Sequence, residues 1–253
     1  MTAEEKTIVA RFLDMAGDYL RDGYSRDRAA CDFADDAPAA APESGAFSSL
    51  PLAYQVDEDN DGGDTLDDIA AAVHCCRDCG LGASRTLAVP GEGVTNPLVM
   101  VIGEGPGAEE DRAGRPFVGK AGQLLDRMLA SIGLSRDSNC YIANIVKCRP
   151  PENRDPEPGE IAACFSHLER QIALLRPRVI LCAGRIAAQT LLKTNSGINA
   201  MRGTFREFRS GDTVIPLLCT FHPSFVLRDE ENKRPAWEDL KLLRSKLESI
   251  NGR

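Results

Sequence analysis

Long apolar runs are missing from this chain, histidine occurs three times and tryptophan once. No stretch approaches the roughly 18 consecutive apolar residues that a spanning helix needs, which excludes a helical membrane protein. Residues Met1 to Lys6 carry two acids and one base and lead into no apolar core, so the start does not read as a secretory signal. Without an export signal, nine cysteines do not read as a disulfide framework. They point to reduced thiols, core residues or metal ligands, and the expected compartment is the cytoplasm. The length, 253 residues, fits one good-sized domain with or without an appendage, at about 100–200 residues per domain.

The net charge of −8 conceals an asymmetry. Residues 1–73 hold 17 acids and 5 bases, leaving 21 acids and 25 bases for the rest. The front is acidic and the body mildly basic, which is compatible with a polyanionic partner without requiring one. Ile8, Phe12, Met15 and Tyr19 share a helical stripe, so a short amphipathic helix is predicted within residues 4–22. Residues 23–64 are rich in Ala, Pro, Ser, Gly and acid, and read as a flexible tether that cannot bury enough surface to offset its ordering entropy. The expected division is residues 1–70 as a largely disordered acidic extension and 71–253 as the folded domain.

From residue 65 the pattern tightens into alternating strands and helices. A helix is predicted over 65–73, then buried strands over 98–103, 141–146, 179–184 and 214–220, separated by helices over 119–132, 160–175 and 186–192 and closed by one over 237–250. This is an α/β chain: a three-layer α/β/α domain around a central four-stranded parallel sheet. Ligands of such sheets sit at the carboxyl ends of the strands, so the chemistry-bearing residues are expected there.

Cys76-Arg-Asp-Cys79 places two thiols on one tight turn, and Cys148 and Cys164 can close a tetrahedron with them. Spacing alone does not separate zinc from an iron–sulfur cluster, and Cys75 leaves the start of the pair ambiguous. Cys140, Cys182 and Cys219 lie in or beside apolar strands and read as core. After the first strand, Gly103-Glu-Gly-Pro-Gly-Ala matches G-x-G-x-x-A, a form of the dinucleotide fingerprint. Glu104, Glu109, Glu110 and Asp111 would repel a phosphate there, and the clear helix starts only near Gly119. The glycines are better read as a tight turn whose backbone approaches another ligand.

GEGPGAEEDRAGRPFVGKAGQLL at 103–125, YIANIVKCRPPENR at 141–154 and FHPSFVLR at 221–228 resemble the family 4 uracil-DNA glycosylases. The resemblance covers roughly residues 74–250. It implies that Cys76, Cys79, Cys148 and Cys164 hold a [4Fe–4S] cluster, and that the chain, acting as a monomer, hydrolyses uracil from single- or double-stranded DNA. Such chemistry takes the nucleotide out of the stack into a pocket. Phe117 is the expected stacking surface, a contact worth about 1–3 kcal/mol. Asn144 offers one acceptor and one donor, a match for uracil N3–H and O4. His222 follows the fourth strand, where it can stabilise charge developing on the leaving base. Glu104 is expected to orient the attacking water.

The resemblance adds Glu110, and Gly105 in the turn, as shapers of the base pocket. Relatives in the wider superfamily carry an Asp where this chain has Gly105, which moves water activation to Glu104 or to leaving-group stabilisation. Residues 195–203 hold no His and no basic run, unlike a branch that traps its product covalently. Lys120, Arg149, Arg154 and Arg202 are candidate phosphate contacts, and Leu227-Arg228 a tip suited to filling the hole left by a flipped base. The rival readings are a nucleotide-dependent oxidoreductase built on the glycine loop and a non-catalytic iron–sulfur DNA-binding module.

Overall fold

The computed structural model describes residues 64–251. The helix predicted within 4–22 and nearly all of the acidic tether lie outside the described residues. The first element, α1 (Leu66–Cys75), opens on a reciprocal cap. Thr65 Oγ1 accepts from the Asp68 amide at 3.1 Å, and the Asp68 carboxylate accepts from the Thr65 amide at 3.0 Å. Ile69 and Val73 are its buried face, and the helix ends where the cysteine pair begins.

The sheet has six strands in the order β1-β3-β2-β4-β6-β5. These are β1 (Glu92–Gly93), β2 (Val99–Gly103), β3 (Cys140–Asn144), β4 (Val179–Ala183), β5 (Phe205–Ser210) and β6 (Thr213–Thr220). The four predicted strands are its parallel centre: β2 lies between β3 and β4, and β4 pairs with β6. Every residue of β2, β3 and β4 is buried, as expected of strands covered on both faces.

Two antiparallel edge strands escape the apolar-run reading. β1 is two residues long. β5, the sequence FREFRS, is mostly exposed and joins β6 through the tight Gly211-Asp212 turn. Charged edge strands of this kind resist edge-to-edge association.

Met100, Ile102, Ile180 and Cys182 pack on one face with Leu168, Ile172 and Leu175 of α5 (Pro158–Leu175) and with Ala187, Ala188 and Leu191 of α6 (Arg185–Leu192). Val99, Val101, Val179 and Leu181 alternate to the opposite face. On the helices, α4 (Lys120–Ala130) buries Leu124, Leu125, Met128 and Leu129, and it contacts α9 (Lys233–Asn251). α9 begins four residues earlier than predicted, because Pro235 falls in its first turn, where no intrahelical N–H is needed. Cys140, Cys182 and Cys219 are buried as expected, the last two directly opposite each other across β4 and β6.

Short helices complete the domain: α2 (Leu81–Ser84), α3 (Ala108–Ala113), α7 (Ile198–Met201) and α8 (Pro223–Arg228). α3 corrects the expectation that no helix follows the glycine loop until Gly119. Its six residues are too few and too polar to carry an apolar period. Among the described residues, no helix is long and apolar enough to cross a membrane.

Candidate active site and cysteine pocket

The carboxyl ends of the four parallel strands open into one cleft of about 600 Å³. Glu104 and Gly105 follow β2, Asn144 ends β3, Gly184 and Arg185 follow β4, and Phe221 and His222 follow β6. Glu110 of α3 and Phe117 of the next turn line it as well. All six cleft residues expected from the sequence are therefore brought together.

Phe117 is buried and has a left-handed backbone, φ 52°, a conformation that costs a non-glycine residue energy and needs support. The support is visible. Arg136 Nη1 and Nη2 donate to the Pro116 and Phe117 carbonyls at 3.0 and 2.9 Å. Glu110 Oε1 accepts from the amides of Val118 and Gly119 at 3.0 and 2.9 Å, while Oε2 accepts from Gly107 at 3.1 Å. Glu110 thus ties the glycine loop to the Phe117 turn. Its carboxylate also occupies the start of α3 that a pyrophosphate would need, which removes the physical basis of the dinucleotide reading.

Close approach explains Gly103. A Cβ there would lie 2.5 Å from Asn144 Oδ1 and 2.6 Å from Phe117 Cζ, so only glycine lets those two side chains meet over the end of β2. Gly105 is confined similarly: a Cβ would sit 2.7 Å from Cγ2 of buried Val146. An aspartate at 105 therefore requires Val146 to move.

Asn144 is 1% exposed and its Oδ1 has no hydrogen-bond partner. Leaving a buried acceptor unsatisfied costs about 1–3 kcal/mol, so this atom is organised for a donor that the protein does not supply. His222 lies beside the Phe117 ring, with centroids 5.6 Å apart and planes tilted by 31°. It is also the N-cap of α8: its Nδ1 accepts from the Ser224 amide at 3.2 Å. Nδ1 also lies 2.8 Å from Ser224 Oγ; an amide can only donate and a hydroxyl can do so too, so both contacts are met when Nδ1 carries the lone pair and the proton is on Nε2. Burial drives the His222 pKa down to about 4, with Arg228 adding and Glu110 opposing, so the ring is neutral at physiological pH.

Glu104 shows the opposite displacement. Burial raises its pKa to about 7, Asp155 adds to the shift and Arg185 opposes it. A carboxylate poised there is matched to taking a proton near neutral pH.

The cations divide. Arg154 and Arg228 line the cleft, Arg154 braced by two bonds to Glu160 at 2.8 and 2.7 Å. Lys120, exposed at the first residue of α4, Arg149, bonded through Nε to Asn153 at 2.9 Å, and partly buried Leu227 lie outside the lining. Arg202 is a correction. Its guanidinium grips fully buried Asp239 at 3.0 and 2.9 Å, donates to the Pro235 carbonyl and lies over the Phe221 ring at 5.0 Å. It is an internal brace and is not displayed to a phosphate.

Among the cleft residues that sequence reasoning missed are Asp155, Arg185 and Phe225, the last 38% exposed and 5.3 Å from Phe221 between ring centroids. The strand-end rule pointed to Arg185, which directly follows the glycine closing β4.

A second, much smaller pocket of about 10 Å³ shares no lining residue with the cleft and is lined by Cys76, Cys79, Cys148 and Cys164 together with Arg85, Lys147 and His167. Cys76 lines it, whereas Cys75 is exposed and does not. Cys148 Sγ accepts from Arg85 Nη1 at 2.9 Å, and Cys164 Sγ accepts from the Lys147 amide at 3.2 Å. Arg85 also binds the carbonyls of Val73 and Cys76 at 3.2 and 3.3 Å, clamping the end of α1.

Burial raises the pKa of Cys76, Cys148 and Cys164, the last to about 11, so empty thiols would be neutral. A bound metal deprotonates its thiol ligands, and the two cations at the pocket wall then face thiolates. His167 is 7% exposed with both ring nitrogens unpartnered, and one lies within 4.8 Å of Cys76 Sγ and an Asp78 oxygen. Four thiols around one pocket suit a multi-atom cluster held by the cysteines; the ligand atoms that lie within 4.8 Å of one another, as a single ion would need, are those of Cys76, Asp78 and His167.

Fold and cleft define the class. Residues 90–241 match the family model described as the uracil DNA glycosylase superfamily. The type-4 uracil-DNA glycosylase of Archaeoglobus fulgidus is 40% identical over 182 residues, 70% of this chain and 91% of the relative. Those of Sulfurisphaera tokodaii and Saccharolobus solfataricus are 41% and 42% identical, covering 72% and 74% of this chain and 84% and 88% of the relatives. The chain belongs to the type-4 uracil-DNA glycosylase family.

Proposed function

We propose that this chain is a monofunctional DNA repair glycosylase that flips uracil out of DNA and hydrolyses its N-glycosidic bond, leaving an abasic site. The observation that carries the reading is the unpartnered Oδ1 of buried Asn144, set against Phe117 and neutral His222 at the mouth of the parallel sheet. The flipped base stacks on Phe117. Asn144 Oδ1 accepts N3–H and its amide donates to O4, a pattern that cytosine, lacking N3–H, does not satisfy. As the C1′–N1 bond breaks, its electron pair passes into the uracil ring, and His222 Nε2–H donates to O2, where the negative charge gathers. Glu104 takes a proton from the water that adds to C1′, and its carboxylate offsets the cationic sugar. Neutrality of His222 matters here, because a cation beside Arg228 would have to be desolvated when the cleft fills.

Cys76, Cys79, Cys148 and Cys164 hold the [4Fe–4S] cluster. When bound, the cluster supplies a covalent staple between the end of α1, the loop after β3 and α5. Arg154, Arg185 and Arg228 at the cleft rim contact phosphates, with Lys120 and Arg149 further out. Phe225 and Leu227 of α8 form the apolar tip that takes the place of the flipped base. The enzyme works as a cytoplasmic monomer. Incubation with a uracil-containing oligonucleotide followed by alkali tests the whole reading: strand cleavage only at uracil, and only after alkali, is expected. No cleavage by protein with its full iron content would overturn it.

A further inference from the structure

Lys147 is 1% exposed and stands between the two sites. Its Nζ donates to the Asn144 carbonyl at 3.0 Å and to Gln171 Oε1 at 2.7 Å. Gln171 is itself buried and anchored by its Nε2 to the Pro90 carbonyl and Tyr141 Oη at 2.9 and 3.2 Å. The Lys147 amide donates to Cys164 Sγ at 3.2 Å, and its carbonyl accepts from Val89 at 2.8 Å.

Among the described residues no carboxylate pairs with this ammonium. A buried cation held only by two neutral carbonyl oxygens is heavily penalised by its lost hydration. The pocket it lines contains four cysteines, whose thiolates with a bound cluster carry net negative charge. The same residue therefore meets the cysteine-held group on one side and the backbone of the base-reading residue on the other.

We propose that Lys147 is a positioning residue that couples the cysteine-held cluster to base recognition, a role that rests on the cluster and uracil readings above. The thiolate charge keeps the ammonium inside the protein. The ammonium fixes the Asn144 carbonyl, and with it the amide that meets uracil. Removing the charge or the Gln171 anchor lets the end of β3 relax, while the DNA-binding rim is untouched.

The test uses full-length holoprotein and two variants, Lys147→Met and Gln171→Leu. Iron and sulfide content, DNA affinity, single-turnover rate on a uracil duplex, and the midpoint potential of the cluster's one-electron couple at an electrode are measured for each. Both variants are expected to keep DNA affinity and to lose about tenfold or more in rate, since a misplacement near 1 Å can cost more than that. The potentials should separate them. Lys147→Met, which removes a cation beside the cluster, shifts it negative, and Gln171→Leu, which keeps the cation, leaves it in place.

Rates within twofold of the parent in cluster-loaded Gln171→Leu overturn the positioning role, even where Lys147→Met fails to fold or to load. An unchanged potential in loaded Lys147→Met overturns the electrostatic link. Absence of iron from the parent protein is a separate result, which removes the cluster reading and the coupling with it.

Discussion

Replacing Glu104 by Gln tests the assignment of the general base. The carboxyl has a pKa of about 7, raised chiefly by burial, so its ionised fraction is about one in eleven at pH 6 and ten in eleven at pH 8. If Glu104 must be ionised to accept the water proton, the single-turnover rate on a uracil duplex rises about tenfold from pH 6 to pH 8 and then levels. His222, with its pKa near 4, contributes no inflection in that range. Glu104→Gln should lose about 10²–10³-fold at pH 8 and show a flat profile, because the amide does not titrate.

Stability supplies an independent sign. A carboxyl whose folded pKa is raised favours folding below its unfolded pKa and loses that contribution as pH rises through about 7. The glutamine variant should therefore melt higher than the parent at pH 8, where the parent carries a charge in the cleft, and about equally at pH 5. Single-turnover kinetics from pH 5.5 to 9 and thermal melts at the two pH values make the measurement. A Glu104→Gln enzyme that keeps the ascending limb, or a parent rate flat between pH 6 and 8, would show that Glu104 is not the titrating base.

His222→Ala should lower the single-turnover rate by about 10²–10³-fold, the size of a lost oxyanion donor, with DNA affinity nearly unchanged in a filter-binding assay. Asn144→Asp should differ in kind: a carboxylate has no donor for O4, so the ratio of rates on U·G and C·G duplexes shifts toward cytosine, and an unshifted ratio removes Asn144 as the base reader. Cys76→Ala should lose iron and the cluster's visible absorbance while Cys75→Ala keeps both, since only Cys76 lines the pocket. Arg202→Ala leaves the fully buried Asp239 without its guanidinium and should destabilise the fold by about 3–5 kcal/mol in chemical denaturation. The salt dependence of DNA binding should not change, whereas a slope reduced by about one would mark Arg202 as a phosphate contact after all.

The four parallel strands were legible because both their faces are buried, and continuous runs such as Val99 to Ile102 and Val179 to Ala183 have no polar alternative. Strand ends then located Glu104, Asn144 and His222. What escaped was whatever depends on partners distant in sequence. β5 is a polar edge that exists as a strand only because β6 lies beside it. Arg202 and Arg154 look alike as letters, yet one closes on a buried aspartate 37 residues away and the other reaches the cleft. Nothing local marks Lys147 as buried, and its environment comes from Gln171, 24 residues on, and from the cysteine that α5 brings to its amide.

The sequence by itself determined the four parallel strands and the longer helices between them, and it marked the candidate residues at the strand ends, since local apolar period and residue chemistry are carried in the letters. Only the tertiary structure decided which thiols share a pocket, which cations line the cleft, and the displaced pKa values of Glu104 and His222. Those properties are set by desolvation and by charges from other strands and helices, which no single segment contains.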